Sequence, residues 1–368
     1  MKSKLKPFDY TLFTVVIILY GLGLLMVLSA SSHLGVLEYD NNPYYFFVRQ
    51  FRFGVLGIVV MLVLSRVNYK VYKNFSGLIF LAAIGLLCLV LVPGIGSGEI
   101  RGAKRWIYVG FNLQPSEVAK LAIIIFLSAR ISMNPEGIKK FWKGLVPYFI
   151  IIGIVAGLLY LEPHYSAIGI IGIISVIILF AGGAKISHFV YLALAILPVG
   201  IAGIFIADYR LERIVSFLDP WSDPQHGGWQ VIQSLYALGS GGMFGLGLGQ
   251  SRQKYTYLPD AHNDFILAIL GEELGFIGMV LVIILFGILI WRGVVIATKA
   301  PDMFSGLVAI GITMLIAIQI ILNIAIITSC FPVTGMPVPF MSYGGTSLLI
   351  FMSCIGILLN ISRHVKHE

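Results

Sequence analysis

Three carboxylates lie at the edge of an apolar run or inside it in the stretch LPDAHNDFILAILGEELG, residues 258–275. They are Asp264, Glu272 and Glu273. A charged side chain inside a membrane is costly, so it usually faces the protein interior or a water-filled cavity and has a partner there. A carboxylate in such a place can accept a proton or form an ion pair. The stretch therefore predicts either a site of proton chemistry or a set of structural contacts.

Helix geometry separates these three acids. Asp264 lies where a helix would start, so one interpretation is a cap that accepts hydrogen bonds from free backbone N–H groups. Glu272 is about 12 Å further along the helix and rotated by about 80° from Asp264, whereas Glu273 is rotated by about 180°. One helix face cannot serve both glutamates. We therefore expect at least one of them to contact a partner helix or Lys120.

A second group of charges precedes and begins another apolar run. Glu117 and Lys120 are spaced i,i+3, so they share a helix face and either pair with each other or line a polar cavity. Arg105 is one of three cations just before Trp106. These cations are either an interface anchor of aromatic and snorkelling basic side chains or an anion-binding ledge. For the second interpretation, a lipid phosphate is the anion of interest.

Other chemistries lack a signature in this chain. The nucleophile pattern G-x-S-x-G, the nucleotide patterns G-x-G-x-x-G and G-x-x-x-x-G-K-[ST], and the metal pattern H-E-x-x-H do not occur. Cys88, Cys330 and Cys354 lie in or beside apolar runs and have no C-x-x-C spacing. We therefore expect small buried side chains rather than a disulfide or a zinc site.

The elements that must position these residues are membrane helices. Of 368 residues 58% are hydrophobic and only 11% charged, with a mean hydropathy of +0.94, which predicts an all-α polytopic membrane protein. The inner side takes 15 of the 25 basic residues but only four of the 17 acidic ones when both termini are cytoplasmic. These cations meet anionic lipid headgroups, so no nucleic acid partner is predicted. The ten predicted spans are residues 11–31, 48–65, 76–93, 115–131, 145–161, 166–183, 186–207, 263–291, 304–330 and 345–361.

Two outer segments stand apart from ordinary connections. Between helices 7 and 8, the large outer loop 208–262 is far longer than usual; it contains YRLERIVSFLDPW, which predicts an interfacial amphipathic helix, and GWQVIQSLYAL, which predicts a second short helix. Six of the eleven residues 239–249 are glycine, so this backbone can approach a ligand closely. The segment VTGMPVPFMSYGGTS, residues 333–347, combines prolines with small residues, and we expect it to help form an outer cavity.

Three long motifs are similar to those of the SEDS family of shape, elongation, division and sporulation proteins. They are GAKRWIYVGFNLQPSEVAKLA, DPQHGGWQVIQSLYALGSGGMFGLGLGQSRQKYTYLPDAHNDFILAILGEELG and TGMPVPFMSYGGTS. The resemblance covers essentially the whole chain, and the ungapped GLGLGQSRQKYTYLP is more similar to the FtsW and SpoVE branch than to RodA. It implies a single integral membrane domain, residues 1–368, in the bacterial cytoplasmic membrane, and at the septum for a division protein.

The resemblance also implies an activity. SEDS proteins polymerise lipid II into peptidoglycan strands, so we expect a glycosyltransferase that uses an undecaprenyl-pyrophosphate-linked donor at the outer membrane face, for cell division, shape or sporulation. The implied partners are a class B penicillin-binding protein, which is a transpeptidase, and other divisome or elongasome membrane proteins. The cofactor considered is a divalent cation, Mg or Mn, with Asp264 as its candidate ligand.

Site residues are carried over from the motifs. Asp264 matches the family's essential aspartate after LP-x-x-H-x-D, so the resemblance implies a catalytic base that takes the proton of an acceptor hydroxyl. Where the family usually has Pro-Asp-x-Gly-Thr/Ser after the fifth span, this chain has EPHYSA with His164, and Asn263 stands where Thr is common. The candidate substrate-binding residues are Arg105, Trp106, Glu117, Lys120, Gln250, His262 and Ser342.

Two other functions stay open at this point. A lipid II flippase would have broken helices and a midplane site, and Glu272, Glu273 and Lys120 lie deep enough to serve it, although the polar groups concentrate at the outer face. A non-catalytic divisome scaffold would not need the long motifs around Asp264. Polymerisation of lipid II without a bilayer to cross distinguishes all three functions.

Overall fold

The computed structural model describes residues 7–93, 96, 105–191, 194, 217, 219–225 and 228–365. The helices are α1 (Tyr10–Glu38), α2 (Tyr45–Leu64), α3 (Tyr69–Asn74), α4 (Ser76–Leu91), α5 (Pro115–Met133), α6 (Val146–Leu161), α7 (Tyr165–Ala181), α8 (Trp229–Gly241), α9 (Ile266–Thr298), α10 (Met303–Ile327) and α11 (Gly345–Ser362), and the strands are β1 (Ile107–Tyr108) and β2 (Asn112–Leu113). Short 3-10 helices occupy Gly137–Lys139 and Pro220–Ser222, and a π-helical turn occupies Phe141–Leu145.

The described part of the chain is mostly helical, as the sequence predicts. Five helices, α1, α2, α9, α10 and α11, are long and apolar enough to cross a membrane. The apolar helices α4, α6 and α7 are shorter, and α5 contains three charged residues. The predicted seventh span, 186–207, lies mostly outside the described residues, as does the predicted amphipathic helix before Trp221. The second short helix predicted in the large outer loop is confirmed as α8.

Local signals in the sequence fix several helix starts. Asp9 accepts a hydrogen bond from Leu12 N at the start of α1, and Asp302 forms a reciprocal capping box with Ser305 at the start of α10. Helix α5 begins with Pro115, whose fixed φ suits the first helical position. These caps satisfy backbone groups that would otherwise be unpaired at the helix ends.

Helices α5 and α11 lie at the centre of the bundle. Of the 19 residues of α5, 14 are buried, and 14 of the 18 residues of α11 are buried as well. Helix α5 packs against α4, α7 and α10, and α11 packs against α2. The small strand pair joins this centre, because the hydroxyl of Thr346 in α11 donates to Asn112 O at 2.6 Å. Polar residues on α5 are therefore enclosed by other helices rather than by lipid.

Helix α9 is bent where the loop after α8 meets it. Gly275 has φ of 67° inside the helix, and a side chain there would collide with the backbone of Gly245. Two backbone hydrogen bonds join the glycine-rich loop to α9 beside this bend, from Leu246 N to Glu272 O and from Gly247 N to Glu273 O. The glycine-rich stretch thus approaches another backbone segment, and glycine is required at this contact.

Candidate active site

Asp264 lies in a turn just before α9 and is partly buried. The helix begins at Ile266, and its N-cap is Phe265, which makes no side-chain cap. The N-cap position that the cap interpretation gives to Asp264 is therefore occupied by Phe265. Asp264 precedes this position by one residue, at the end of the turn.

The segment before the last helix holds this turn in place. Tyr343 N donates to His262 O at 3.0 Å, and the Ser342 hydroxyl donates to Asn263 O at 2.5 Å. The same hydroxyl accepts a hydrogen bond from Val338 N at 2.8 Å. Ser342, a predicted substrate-binding residue, thus uses its hydroxyl to join two backbone segments.

A third contact comes from α10. Asn323 donates to Asp264 O at 2.7 Å and to Met336 O at 3.1 Å, and the side chain is fully buried. Three successive carbonyls, those of residues 262–264, therefore each accept a hydrogen bond from another element. Asn323 was not predicted as a site residue, because it lies 59 positions from Asp264 in the sequence and carries no motif of its own.

The segment 342–344 is itself held by α2. Gln50 is buried, donates to Ser342 O at 2.9 Å and accepts from Gly344 N at 3.2 Å. His262 is also buried, and its ring lies 4.8 Å from that of Phe46, measured between centroids. Two of the predicted site residues, His262 and Ser342, therefore lie directly beside Asp264 in sequence or in space, and both contribute to the support of its turn.

The side chain of Asp264 also lies close to the backbone at Gly335. Gly335 has φ of 69°, and a Cβ built on it would lie 3.5 Å from Asp264 Oδ2. The preceding residue, Thr334, accepts a hydrogen bond at 2.7 Å from the hydroxyl of Ser166, in the first turn of α7. The segment 334–335 therefore connects the aspartate to the hairpin between α6 and α7.

Glu117 and Lys120 form the ion pair that their spacing predicts. Lys120 Nζ lies 2.7 Å from Glu117 Oε1, and both side chains are almost wholly buried. Lys120 also lies 6.0 Å from the centroid of the Phe351 ring on α11. Glu117 Oε2 has no hydrogen-bond partner within the described part of the chain. The pair is thus formed, and one of its oxygens can still accept a hydrogen bond.

Arg105 contacts the hairpin that joins α6 to α7. Its Nη2 donates to Pro163 O at 2.5 Å. Burial raises the pKa of Glu162 to about 8, although Arg105 opposes this shift. Burial also lowers the pKa of His164 to about 3, and the charges of Arg105 and Lys120 add to this effect. Arg105, Glu117, Lys120, Glu162 and His164 are called the hairpin cluster below.

Trp106 and Gln250 complete the set of predicted substrate contacts. Trp106 follows Arg105 and is partly buried, just before β1. Gln250 is exposed at the end of the glycine-rich loop, where its N–H donates to Gly247 O at 3.1 Å. The structure thus places Trp106 with the hairpin cluster, whereas Gln250 lies beside the contacts of Glu272 and Glu273.

Glu272 anchors the loop that follows the glycines. It is fully buried and accepts hydrogen bonds from the Ser251 hydroxyl at 2.5 Å and from Arg252 N at 2.9 Å. The carboxylate therefore satisfies backbone and side-chain donors of one loop, and that arrangement is structural.

Glu273 anchors the same loop from another face of α9. Its Oε1 accepts from the Ser29 hydroxyl of α1 at 2.6 Å and from Ser251 N at 3.2 Å, and it lies 3.2 Å from Lys254 Nζ. The expected contact with a partner helix is confirmed, but the cation is Lys254 and not Lys120. Ser29, Ser251, Lys254, Glu272 and Glu273 are called the loop-anchoring cluster below.

The described residues provide few side chains that could together bind a metal ion. No group of three or more His, Cys, Asp and Glu side chains that could hold a metal occurs among them. A surface groove of about 370 Å³, lined by Arg130, Asn134 and Tyr148 among others, lies at the opposite end of α5 from Glu117 and contains none of the predicted site residues. Of the cysteines, Cys354 is buried as expected, whereas Cys88 and Cys330 are exposed.

Fold and site together define a helical membrane protein with an aspartate in a turn that three other residues support through hydrogen bonds. A family model described as "Cell cycle protein", for FtsW, RodA and SpoVE, matches residues 10–367. The chain therefore belongs to the FtsW/RodA/SpoVE family, as its motifs predict.

Individual relatives agree with this assignment. The chain is 42% identical to stage V sporulation protein E of Bacillus subtilis over 100% of both chains. It is also 42% identical to the probable peptidoglycan glycosyltransferase FtsW of Trichlorobacter lovleyi, over 99% of this chain and 95% of the relative.

Solved structures share the fold over nearly the whole chain. One belongs to a peptidoglycan synthase complex described as coordinating polymerization and crosslinking, with a TM-score of 0.80 and 26% identity over 97% of this chain and 98% of that one. The rod shape determining protein RodA of Thermus thermophilus has a TM-score of 0.71 and 24% identity over 98% of each chain, a level that supports the fold alone.

Proposed function

We propose that this chain is a peptidoglycan glycosyltransferase that polymerises lipid II at the outer face of the bacterial cytoplasmic membrane. The observation that carries the proposal is the support of Asp264: hydrogen bonds from three other residues hold the carbonyls of residues 262–264. Such support positions a carboxylate for proton transfer without using the carboxylate itself. The relatives named as probable peptidoglycan glycosyltransferases FtsW supply the substrate class.

The reaction needs one base. The 4-hydroxyl of the acceptor sugar attacks the anomeric carbon of the donor, and the bond from that carbon to the pyrophosphate oxygen breaks. The electron pair leaves with the lipid pyrophosphate, and the hydroxyl proton passes to the carboxylate of Asp264. Pyrophosphate is a good leaving group, so cationic stabilisation replaces a strong general acid. In this proposal Arg105, with Trp106 beside it, would supply part of that positive charge.

A divalent cation, Mg or Mn, fits this site only with help from substrate. Asp264 would be its protein ligand and the pyrophosphate oxygens would supply further ones, which is the usual coordination of Mg²⁺ by one or two carboxylates and substrate phosphates. Bound there, the ion would stabilise charge on the leaving pyrophosphate.

The topology that we propose has ten membrane spans. Helices α1, α2, α4, α5, α6, α7, α9, α10 and α11 would account for nine of them. The seventh in chain order is the span that the sequence predicts over residues 186–207. Both termini are then cytoplasmic, and Asp264, Arg105 and the α6–α7 hairpin share the outer side. This places the base at the interface, where a substrate with a lipid tail and sugars in water would lie.

The partner is proposed to be a class B penicillin-binding protein, with other divisome or elongasome proteins in the same membrane. A similar chain is described as part of a complex that coordinates polymerization and crosslinking. Because the predicted cytoplasmic loops are short, we expect docking on lipid-facing helix surfaces and outer loops. Cross-links from the partner's membrane helix should therefore map to these surfaces, and cross-links confined to cytoplasmic positions would contradict this.

The test is polymerisation in detergent. Purified chain, lipid II and the partner are mixed with a penicillin that blocks the transpeptidase, and the product is separated by size. Uncross-linked glycan strands are expected. A flippase gives no product without a bilayer, and a scaffold gives none at all, so lack of strands with an intact complex would overturn the proposal.

A further inference from the structure

The end of α5 opposite Glu117 borders a groove that takes no part in the candidate active site. The groove has a volume of about 370 Å³ and lies between the last turns of α5, the connection 134–145 and the first turns of α6. A Cβ on Gly144 would collide with Gly137 O, so the connection folds closely onto itself. The walls of the groove are therefore helix ends and a tightly folded connection.

A cation that lines this groove is oriented by aromatic rings. The guanidinium carbon of Arg130 lies 5.3 Å from the centroid of the Phe126 ring, one turn earlier on α5. Phe126 in turn stacks on Phe80 of α4, with ring centroids 4.4 Å apart. A ring face attracts a guanidinium group, so this contact holds the cation beside the groove. Arg130 is exposed and forms no ion pair within the part of the chain that the structure describes, so its charge can attract an anion.

Neutral hydrogen-bonding groups and apolar side chains complete the lining. Asn134 Oδ1 accepts a hydrogen bond from Gly137 N at 3.0 Å, and the amide N–H groups of the same side chain remain as donors. Tyr148, near the start of α6, adds a hydroxyl group, whereas Phe126 and Ile151 are apolar. A ligand that matches this lining combines a negative charge, oxygen acceptors and an apolar part.

The surroundings of the groove favour a membrane lipid over a small soluble anion. Residues 130–148 contain four basic residues and one acid, Glu136, and this acid is paired with Lys139. Ile150 and Ile154, which follow the groove along α6, are 59% and 51% exposed, so an apolar surface continues from it. A groove of this volume is at the lower end of small-molecule sites. It therefore fits a headgroup, with the acyl chains on the surface of α6.

We propose that this groove binds the headgroup of an anionic phospholipid, with Arg130 on the phosphate and with Asn134 and Tyr148 on other headgroup oxygens. The site goes beyond the proposed function and depends on it only for the side of the membrane. In the proposed topology this end of α5 is cytoplasmic, where the leaflet is anionic and basic pockets between helices bind lipid headgroups. The lipid binds the folded chain and not the unfolded one, so it stabilises the fold.

The experiment measures binding of phosphatidylglycerol to the purified full chain in neutral detergent by native mass spectrometry, with phosphatidylcholine of the same acyl chains for comparison. Phosphatidylglycerol should bind more tightly, because phosphatidylcholine has no net charge. Arg130→Gln should raise the dissociation constant of phosphatidylglycerol about tenfold or more, since a charged hydrogen bond is lost. Asn134→Asp keeps the acceptor for Gly137 N but replaces the donors with a negative charge, so it should weaken binding as well. The control is Arg66→Gln, which removes an exposed arginine just after α2 and should behave as the wild type.

Three results would overturn the site. The first is equal affinity for the two phospholipids, and the second is an equal loss in Arg130→Gln and Arg66→Gln, which would mean a diffuse attraction to positive charge. The third is an Arg130-dependent affinity for glycerophosphate or for a polyprenyl phosphate that exceeds the affinity for phosphatidylglycerol, which would assign the groove to a soluble anion or to an isoprenoid lipid. These assays need no turnover, so their outcome is independent of strand synthesis in detergent.

Thermal unfolding separates lipid binding from a purely structural role of Arg130. Without added lipid, the melting temperature of Arg130→Gln should stay near that of the wild type, because the side chain is exposed. Added phosphatidylglycerol should raise the melting temperature of the wild type and of Arg66→Gln, and it should raise that of Arg130→Gln much less. A rise of the same size in all three proteins would contradict binding at this groove.

Discussion

The loop-anchoring cluster and the hairpin cluster both bury carboxylates near the same end of the bundle, but they differ in how these groups are satisfied. Glu272 and Glu273 accept hydrogen bonds from Ser251, Arg252 N, Ser29 and Lys254, so that of their four oxygens only Glu273 Oε2 lacks a partner in the described chain. In the hairpin cluster, both oxygens of Glu162 and one of Glu117 lack one.

The difference separates structural acids from acids that can take part in binding. A satisfied buried carboxylate holds two elements together and has no capacity left for a ligand. An unsatisfied one costs stability, and a bound ligand can recover that cost. Burial alone would have placed all four glutamates in one class. The count of partners separates Glu272, with both oxygens bonded, from Glu162, with neither bonded in the described chain, whereas Glu117 and Glu273 each keep one oxygen without a described partner.

The largest effect is expected in the loop-anchoring cluster. Lys254→Met leaves Glu273 buried without its counterion, and the free energy of unfolding should fall by about 3–5 kcal/mol. The measurement is an SDS titration in mixed micelles followed by tryptophan fluorescence. Lys139→Met, which breaks an exposed pair with Glu136, is the control and should cost no more than about 1 kcal/mol. Equal losses in both variants would remove the distinction between the buried and the exposed pair.

A smaller effect is expected for the coupling of Glu117 and Lys120. A double-mutant cycle with Glu117→Gln and Lys120→Met should give an interaction energy of about 1–3 kcal/mol, because the pair is buried and 2.7 Å apart. The cycle of Glu136 and Lys139 has the same i,i+3 spacing at the surface and should give about 0.2–1 kcal/mol. A zero value for the buried pair would mean that each residue serves a separate partner.

The support of Asp264 is tested through α10. Asn323→Leu keeps the volume but leaves Asp264 O and Met336 O without their donor, so stability should fall by about 1–3 kcal/mol. Turnover should fall by about 10–100-fold, since a small displacement of a catalytic group is costly. Gln319→Met, one turn earlier on the same helix, is the control, because neither polar atom of Gln319 has a described partner. If both variants polymerised equally well, Asn323 would have no positioning role.

The sequence predicts contacts that are close along the chain and misses those that are distant. The i,i+3 spacing is enough to pair Glu117 with Lys120, whereas Lys254 and Glu273 are 19 residues apart and meet only because the glycine-rich loop folds back onto the bend of α9. The all-α membrane class is also predicted from the sequence, because composition averages over many residues and does not depend on any single distant contact.

In the candidate active site, too, the sequence predicts local features and misses contacts between distant residues. The motif around Asp264 identifies the aspartate, but its support by Asn323 depends on the packing of α10 against the turn, for which the sequence has no local signal. Glu162 has only a weak signal in the sequence: it is an acid between two apolar runs, directly before a proline. The helix starts at Ile266, three residues after the start of the predicted span 263–291, so Phe265 and not Asp264 occupies its N-cap position.

The most direct test of the central claim, that Asp264 is a base held by its neighbours, is strand synthesis by Asp264→Asn beside Asp260→Asn. Asp260 lies in the same turn with φ of 54°, a conformation that asparagine also adopts. Asp264→Asn should lower turnover about 10²-fold or more, while the free energy of unfolding and partner binding stay near those of the wild type. Asp260→Asn should retain turnover. Near-normal glycan synthesis by Asp264→Asn would contradict the account and remove this residue from the mechanism.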